Sequence, residues 1–106
     1  MKAIRITYAV ALDFVEQNSR NIQEVMRSIE EEVPSGIAYH ACLNPDGVTF
    51  VHTAFFEDED VQKKLNTLPA FQKFQAALKS HNPEFRPAIE QINLIGFTNK
   101  LTPWIK

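Results

Sequence analysis

The chain reads as an α+β fold whose elements run strand, helix, strand, strand, helix, strand, and three patterns carry that reading. Ile4, Ile6, Tyr8, Val10 and Leu12 recur with period two at the N-terminus, the spacing of a strand with one buried face. Ile22, Val25, Met26, Ile29 and Val33 fall on one stripe at helical spacing and are followed by Pro34-Ser35-Gly36, which stops a helix. Asn44-Pro45-Asp46-Gly47 lies between two apolar runs and has the residues of a hairpin turn. With 106 residues the chain is long enough for one hydrophobic core and too short for two, so a single domain over 1–106 is expected.

Each element has its own justification. The first strand sets its apolar residues against Arg5, Thr7, Ala9 and Ala11 on the other face. The first helix starts either at Asp13, with Glu16 completing a capping box, or at Asn18 or Ser19 after a short loop. The third strand ends at Phe55-Phe56, after which Glu57, Asp58, Glu59 and Asp60 supply the negative charge a helix N-terminus favours. Val61 and Leu65 make a short amphipathic helix, and Thr67-Leu68-Pro69 restarts it, with Thr67 as cap and proline near the first helical position. Phe71, Phe74 and Leu78 continue on one face. Beyond Asn82-Pro83 and Arg86-Pro87 a last strand runs from Gln91 to Thr98 with Ile92 and Leu94 inward, and the tail around Trp104 is apolar.

In the hairpin, proline presets the φ of the second turn position and glycine takes the left-handed position that closes a three-residue loop with a bulge. That geometry pairs Asn44 with Val48. Counting by twos, Cys42 faces Phe50, His40 faces His52 and Ala38 faces Ala54. Two imidazoles then share one apolar patch. With short connections and right-handed crossovers, the whole order forms a four-stranded antiparallel sheet with helices on one face, the ferredoxin-like βαββαβ arrangement. Neither hairpin face is polar, so the face without helices is expected to bury itself against a second copy, giving a homodimer.

Composition narrows the function classes. Eleven Lys and Arg against thirteen Asp and Glu give a net charge of −2, spread thinly, so nucleic acid is not expected as a partner. No apolar run is long enough to cross a bilayer, and the N-terminus alternates rather than forming a signal sequence. Cys42 is the one cysteine, which precludes an internal disulfide and suits a reducing, cytoplasmic setting. No CxxC or HxxxH spacing supports a metal site.

The candidate chemistry lies in the histidines and the aromatic residues around them. His40 and His52 are either a general base and its orienting partner, taking a phenolic proton from a substrate, or two partly buried sheet histidines bonded to each other or to water. Tyr8 and Asn18 are placed to meet a substrate at a cavity, although core packing and capping explain them equally. Phe50, Phe56, Phe71 and Phe74 line that cavity or simply pack. Tyr39 falls on the face away from His40, at a dimer interface or in another core layer. Cys42, in apolar surroundings, is an inert thiol, and His81 follows a helix end, where a cation is favourable.

The segment from Gly47 through Phe74, with its Thr-Phe-Val-His strand, acidic helix start and Leu65-Asn66-Thr67-Leu68-Pro69-Ala70-Phe71-Gln72-Lys73-Phe74, resembles the dimeric α+β barrel superfamily. Within it the chain is similar to the antibiotic biosynthesis monooxygenase-like proteins. That resemblance implies a homodimeric α+β barrel with a small apolar cavity between sheet and helices in each subunit. It also implies a cofactor-independent monooxygenase acting on a small phenol or quinol, with no metal or other cofactor. Many such proteins have no known activity, so a non-catalytic small-molecule binding or dimerisation module is the alternative.

Overall fold

The computed structural model describes residues 1–101; the expectation for the tail around Trp104 lies outside them. The period-two run forms β1 (Lys2–Ala9), and a 3-10 turn at Leu12–Phe14 leads into α1 (Val15–Glu32). The hairpin is β2 (Ile37–Leu43) and β3 (Thr49–Phe56). Two helices follow, α2 (Glu59–Thr67) and α3 (Pro69–His81), and then β4 (Ala88–Ile92). The sheet is antiparallel in the order β2-β3-β1-β4. This is the ferredoxin-like α+β arrangement. Its core joins Tyr8, Phe50, Ala54 and Phe56 of the sheet to Ile22, Val25, Leu65, Phe71, Phe74 and Leu78 of the helices.

The β2–β3 loop is one residue longer than its turn signature predicts. The Asn44 N–H donates to the Thr49 carbonyl at 2.8 Å, and the Gly47 N–H donates to the Asn44 carbonyl at 2.9 Å. Asn44 therefore closes on Thr49, not Val48. The cause is Asp46, whose carboxylate accepts from the backbone N–H groups of Val48 at 3.0 Å and Thr49 at 2.9 Å, and also from the Thr49 hydroxyl. Those bonds, the Thr49 hydroxyl foremost, hold the Asp46 carboxyl below its ordinary pKa. Wrapping the chain around this carboxylate draws Val48 into the loop.

A single-residue slip changes every partner. Tyr39 lies opposite Ala54, Ala41 opposite His52, Leu43 opposite Phe50, and His40 opposite Thr53. The expected pairings of Cys42 with Phe50, His40 with His52 and Ala38 with Ala54 are thereby corrected. Because side chains alternate with period two, the slip sends His40 and His52 to opposite faces of the sheet. His52 joins Ile6 and Tyr39 on the helix side; His40 joins Arg5, Thr53 and Phe55 on the other.

Further expectations are corrected by local structure. α1 starts earlier than a cap at Asn18 or Ser19 would allow, and Phe14 at its N-cap makes no side-chain bond. Glu16 pairs with Arg20 at 2.7 Å instead of completing a capping box, and the Ser19 hydroxyl donates to the Val15 carbonyl. Leu68, not Thr67, occupies the N-cap of α3, with Pro69 as its first residue, while Thr67 donates back to the Lys64 carbonyl. β4 starts directly after Pro87 and ends at Ile92. Arg5 bonds Glu90 of the same chain at 3.0 Å across β1 and β4, and Ile92 lies opposite Ala3 on the face away from the helices. Cys42 is exposed there.

Gly36, between α1 and β2, carries the tightest backbone requirement. Its φ is +88°, and a Cβ would lie 2.9 Å from Val61 Cγ2 and 3.2 Å from Glu57 Oε2. Gly47 has φ +80° but open space around it. Both positions disfavour alanine through left-handed backbone, a cost of roughly 1 kcal/mol, and only Gly36 adds a clash with α2. Urea unfolding should therefore show Gly36→Ala to be the more destabilising variant, by about 1–2 kcal/mol over Gly47→Ala.

Candidate functional site

The corrected register builds a buried polar chain beneath the helices. Tyr8 of β1, His52 of β3 and Tyr39 of β2 share the helix-facing side of the sheet, with the histidine between the two phenols. Tyr8 Oη lies 2.8 Å from His52 Nε2, and Tyr39 Oη lies 2.8 Å from His52 Nδ1. Asn18 of α1 extends the chain by donating from Nδ2 to Tyr8 Oη at 3.0 Å. Asn18 is fully buried and His52 is 2% exposed. Within this cluster the Asn18 carbonyl oxygen alone lacks a hydrogen-bond partner.

Aromatic rings clamp the chain. Phe50 stacks on Tyr8 with ring centroids 5.6 Å apart, and Phe85 meets Tyr8 edge-on at 5.3 Å. Phe74 lies 5.6 Å from the imidazole, and Phe71 lies 6.0 Å from Phe74. Water is thus kept from the ring nitrogens. Burial lowers the His52 pKa to about 4, so the imidazole is neutral at pH 7 and a weaker base than a histidine held near its ordinary pKa. Burial also raises both phenols, with the Asn18 donor opposing the rise at Tyr8 and the neighbouring Tyr8 adding to it at Tyr39. Both hydroxyls stay protonated.

One end of the chain opens into a cavity of about 180 Å³ between the sheet and α2 and α3. Tyr39 and His52 form its polar floor, among Ile4, Ile6, Ala54 and Phe56. Leu65 and Phe71 close the helix side, where the amides of Gln62, Asn66 and Gln75 are also present. A second cavity of about 200 Å³ lies between the end of β1 and the end of α3. It touches His81, which is stacked on Phe14 at 4.1 Å and does not reach the polar chain. Among the described residues no group of three or more His, Cys, Asp or Glu side chains is placed to hold a metal ion.

The residues singled out in the sequence divide cleanly. Tyr8, Asn18, Phe50, His52, Phe71 and Phe74 are brought into one cluster, and Phe56 lines the cavity beside it. His40 is on the opposite face, its ring 6.1 Å from that of Phe55. Tyr39 is the participant that sequence reasoning placed elsewhere, and the correct register is the signal that would have found it. Gln62, Asn66 and Gln75 carried no distinguishing pattern.

No protein-family model matches the chain, and no curated protein matches it. Solved structures do. An antibiotic biosynthesis monooxygenase superposes with a TM-score of 0.74 at 10% identity, covering 91% of this chain and all of that one. A candidate antibiotic biosynthesis monooxygenase from Deinococcus radiodurans superposes at 0.71 with 14% identity, over 96% of this chain and all of that one. A protein of unknown function from Nitrosomonas europaea superposes at 0.72 with 15% identity, over 95% of each chain.

The depressed pKa makes a stability prediction. An unfolded histidine near 6.5 binds protons that the folded His52 refuses down to about 4, so its contribution is complete above pH 6.5 and lost as pH falls toward 4. The difference is worth about 3 kcal/mol. Urea midpoints measured from pH 7.5 to 4 should fall less steeply in His52→Gln than in the parent. No helix of the described residues is long and apolar enough to cross a membrane, and the chain has the fold shared by the antibiotic biosynthesis monooxygenase structures.

Proposed function

We propose that this protein is a cofactor-independent monooxygenase of small phenols or quinols, working as a homodimer. The observation that carries the proposal is the Tyr39–His52 pair on the floor of a cavity lined mainly by apolar side chains and free of charged ones among the described residues. At the packing density of a protein interior, about three quarters, the cavity holds roughly 130 Å³ of ligand atoms. That is the size of one or two fused rings. The names of several structural neighbours favour the same chemistry.

The reaction class balances without a further reductant. A hydroquinone and O₂ give a hydroxyquinone and water: one oxygen atom enters the ring, the other leaves as water, and the ring supplies the four electrons. The difficult stage is the loss of the substrate's hydroxyl proton, which ends in the water formed and leaves negative charge on the substrate oxygen before the ring passes electrons to O₂. A protonated Tyr39 hydroxyl, backed by His52 in a water-poor site, is suited to stabilise that charge. His52 acts through Tyr39, and Tyr8 and Asn18 hold His52 in place. The weak basicity of His52 favours a second reading, a binding module that holds the same ligand without turnover.

On the far side of the sheet, Val51 and Phe55 are half-buried, and Phe97 returns over Phe55 with ring centroids 6.2 Å apart. Ile95 and Leu101 are 95% and 81% exposed. A second copy covering this face would bury Val51, Phe55 and Phe97.

Oxygen uptake with mono- and bicyclic hydroquinones tests the activity. Uptake should fall roughly 10²-fold in Tyr39→Phe and in His52→Gln, the typical cost of losing an oxyanion donor, and persist in His40→Gln. Ligand binding with no uptake by the parent protein would leave only the binding module. Light scattering should give twice the chain mass, and Phe55→Glu should halve it; a monomeric parent would remove the dimer from the proposal.

A further inference from the structure

The polar chain has a direction, which follows from counting hydrogens. Asn18 presents Nδ2 to Tyr8 Oη and leaves its carbonyl oxygen without a partner. The orientation shown leaves one N–H and the carbonyl oxygen unpaired, whereas the reverse one would strand both N–H donors in a fully buried place, and an orphaned donor is the rarer condition. With Asn18 donating to its oxygen, the Tyr8 hydroxyl has one acceptor in reach for its own hydrogen, His52 Nε2 at 2.8 Å. A neutral imidazole that accepts at Nε2 carries its hydrogen at Nδ1. That hydrogen is donated to Tyr39 Oη, also at 2.8 Å. The Tyr39 hydroxyl hydrogen is then left over, and Tyr39 lines the cavity.

We infer that Tyr39 is the specificity-determining donor of the cavity, and that the ligand docks there through a carbonyl oxygen of an aromatic ring, as in a quinone or ring ketone. Resting on the aromatic-ligand reading above, this names the face that the ligand presents. Among the described residues, no Arg, Lys, Asp or Glu lines the cavity, so a neutral acceptor fits better than an anion that lacks a counter-charge. A substrate hydroxyl can also accept from Tyr39 but must send its own hydrogen to a further acceptor, a demand that a carbonyl oxygen does not make. On the helix side, Gln62, Asn66 and Gln75 can donate to a second ring oxygen.

Two measurements on the intact protein decide it. Imidazole ¹⁵N shifts should show His52 as the Nδ1–H tautomer at pH 7; the Nε2–H tautomer would overturn the direction of the chain and with it the inference. In titrations, 1,4-naphthoquinone should bind at least tenfold tighter than 1,4-dimethylnaphthalene, which keeps the rings and replaces each carbonyl oxygen by a methyl group. Tyr39→Phe should erase most of that preference by weakening the quinone alone. An unchanged quinone affinity in Tyr39→Phe, or failure of both probes to bind, would overturn the ligand assignment. Quinone binding without oxygen uptake from hydroquinones would instead count against the monooxygenase proposal and leave this inference standing.

Discussion

The clasp of Asp46 on the backbone N–H groups of Val48 and Thr49 sets the geometry on which the site depends. An exposed carboxylate in a loop fixes how many residues separate β2 from β3, and that number fixes which side chains look toward the helices. A strand has only two faces, so a loop longer by one residue exchanges them. With Asn44 closed on Thr49, Tyr39 and His52 are turned into the core together and His40 is turned out. The site is thus a consequence of turn chemistry some distance from it.

Within the core, the polar chain meets the cost of burial by satisfying nearly every group it contains. Tyr8, His52 and Tyr39 each bond within the cluster, and Asn18 closes the far end with its oxygen and one N–H unpaired. A half-satisfied network would be worse than an apolar core, because each orphaned group costs its full desolvation. The stacked rings of Phe50 and the nearby Phe74 raise the stakes by excluding water. They also keep the imidazole neutral. Neutrality makes the pair at the cavity floor a directional hydrogen-bond device rather than a charged one, and it suits a ligand without formal charge.

The fold was legible because its signals are local and redundant. The β1 alternation, the Ile22 to Val33 stripe and the break before Pro69 each identify an element without knowledge of the others. The site was only partly legible. His52, Tyr8, Asn18 and the phenylalanines were visible as residue types, but their meeting depended on a register that Asn-Pro-Asp-Gly specifies ambiguously: the same residues suit a three-residue loop and the longer one that Asp46 selects. Asn18 suits a helix cap and a cavity mouth equally well as a residue type, yet it stands four residues before Ile22 and continues the buried stripe toward the N-terminus. β4 was displaced because Ile92 and Leu94 outweighed Pro87, which marks where a strand can begin.

The register can be read directly from ring-to-ring magnetisation transfer. Nuclear Overhauser contacts from the His52 imidazole should connect it to the rings of Tyr39, Tyr8 and Phe74, with the His40 ring connected to Phe55 and to none of those three. A contact between the His40 and His52 imidazoles, with none from His52 to Tyr39, would mean that the strands pair one residue out of the register described. The polar chain, and the function built on it, would then have no structural basis.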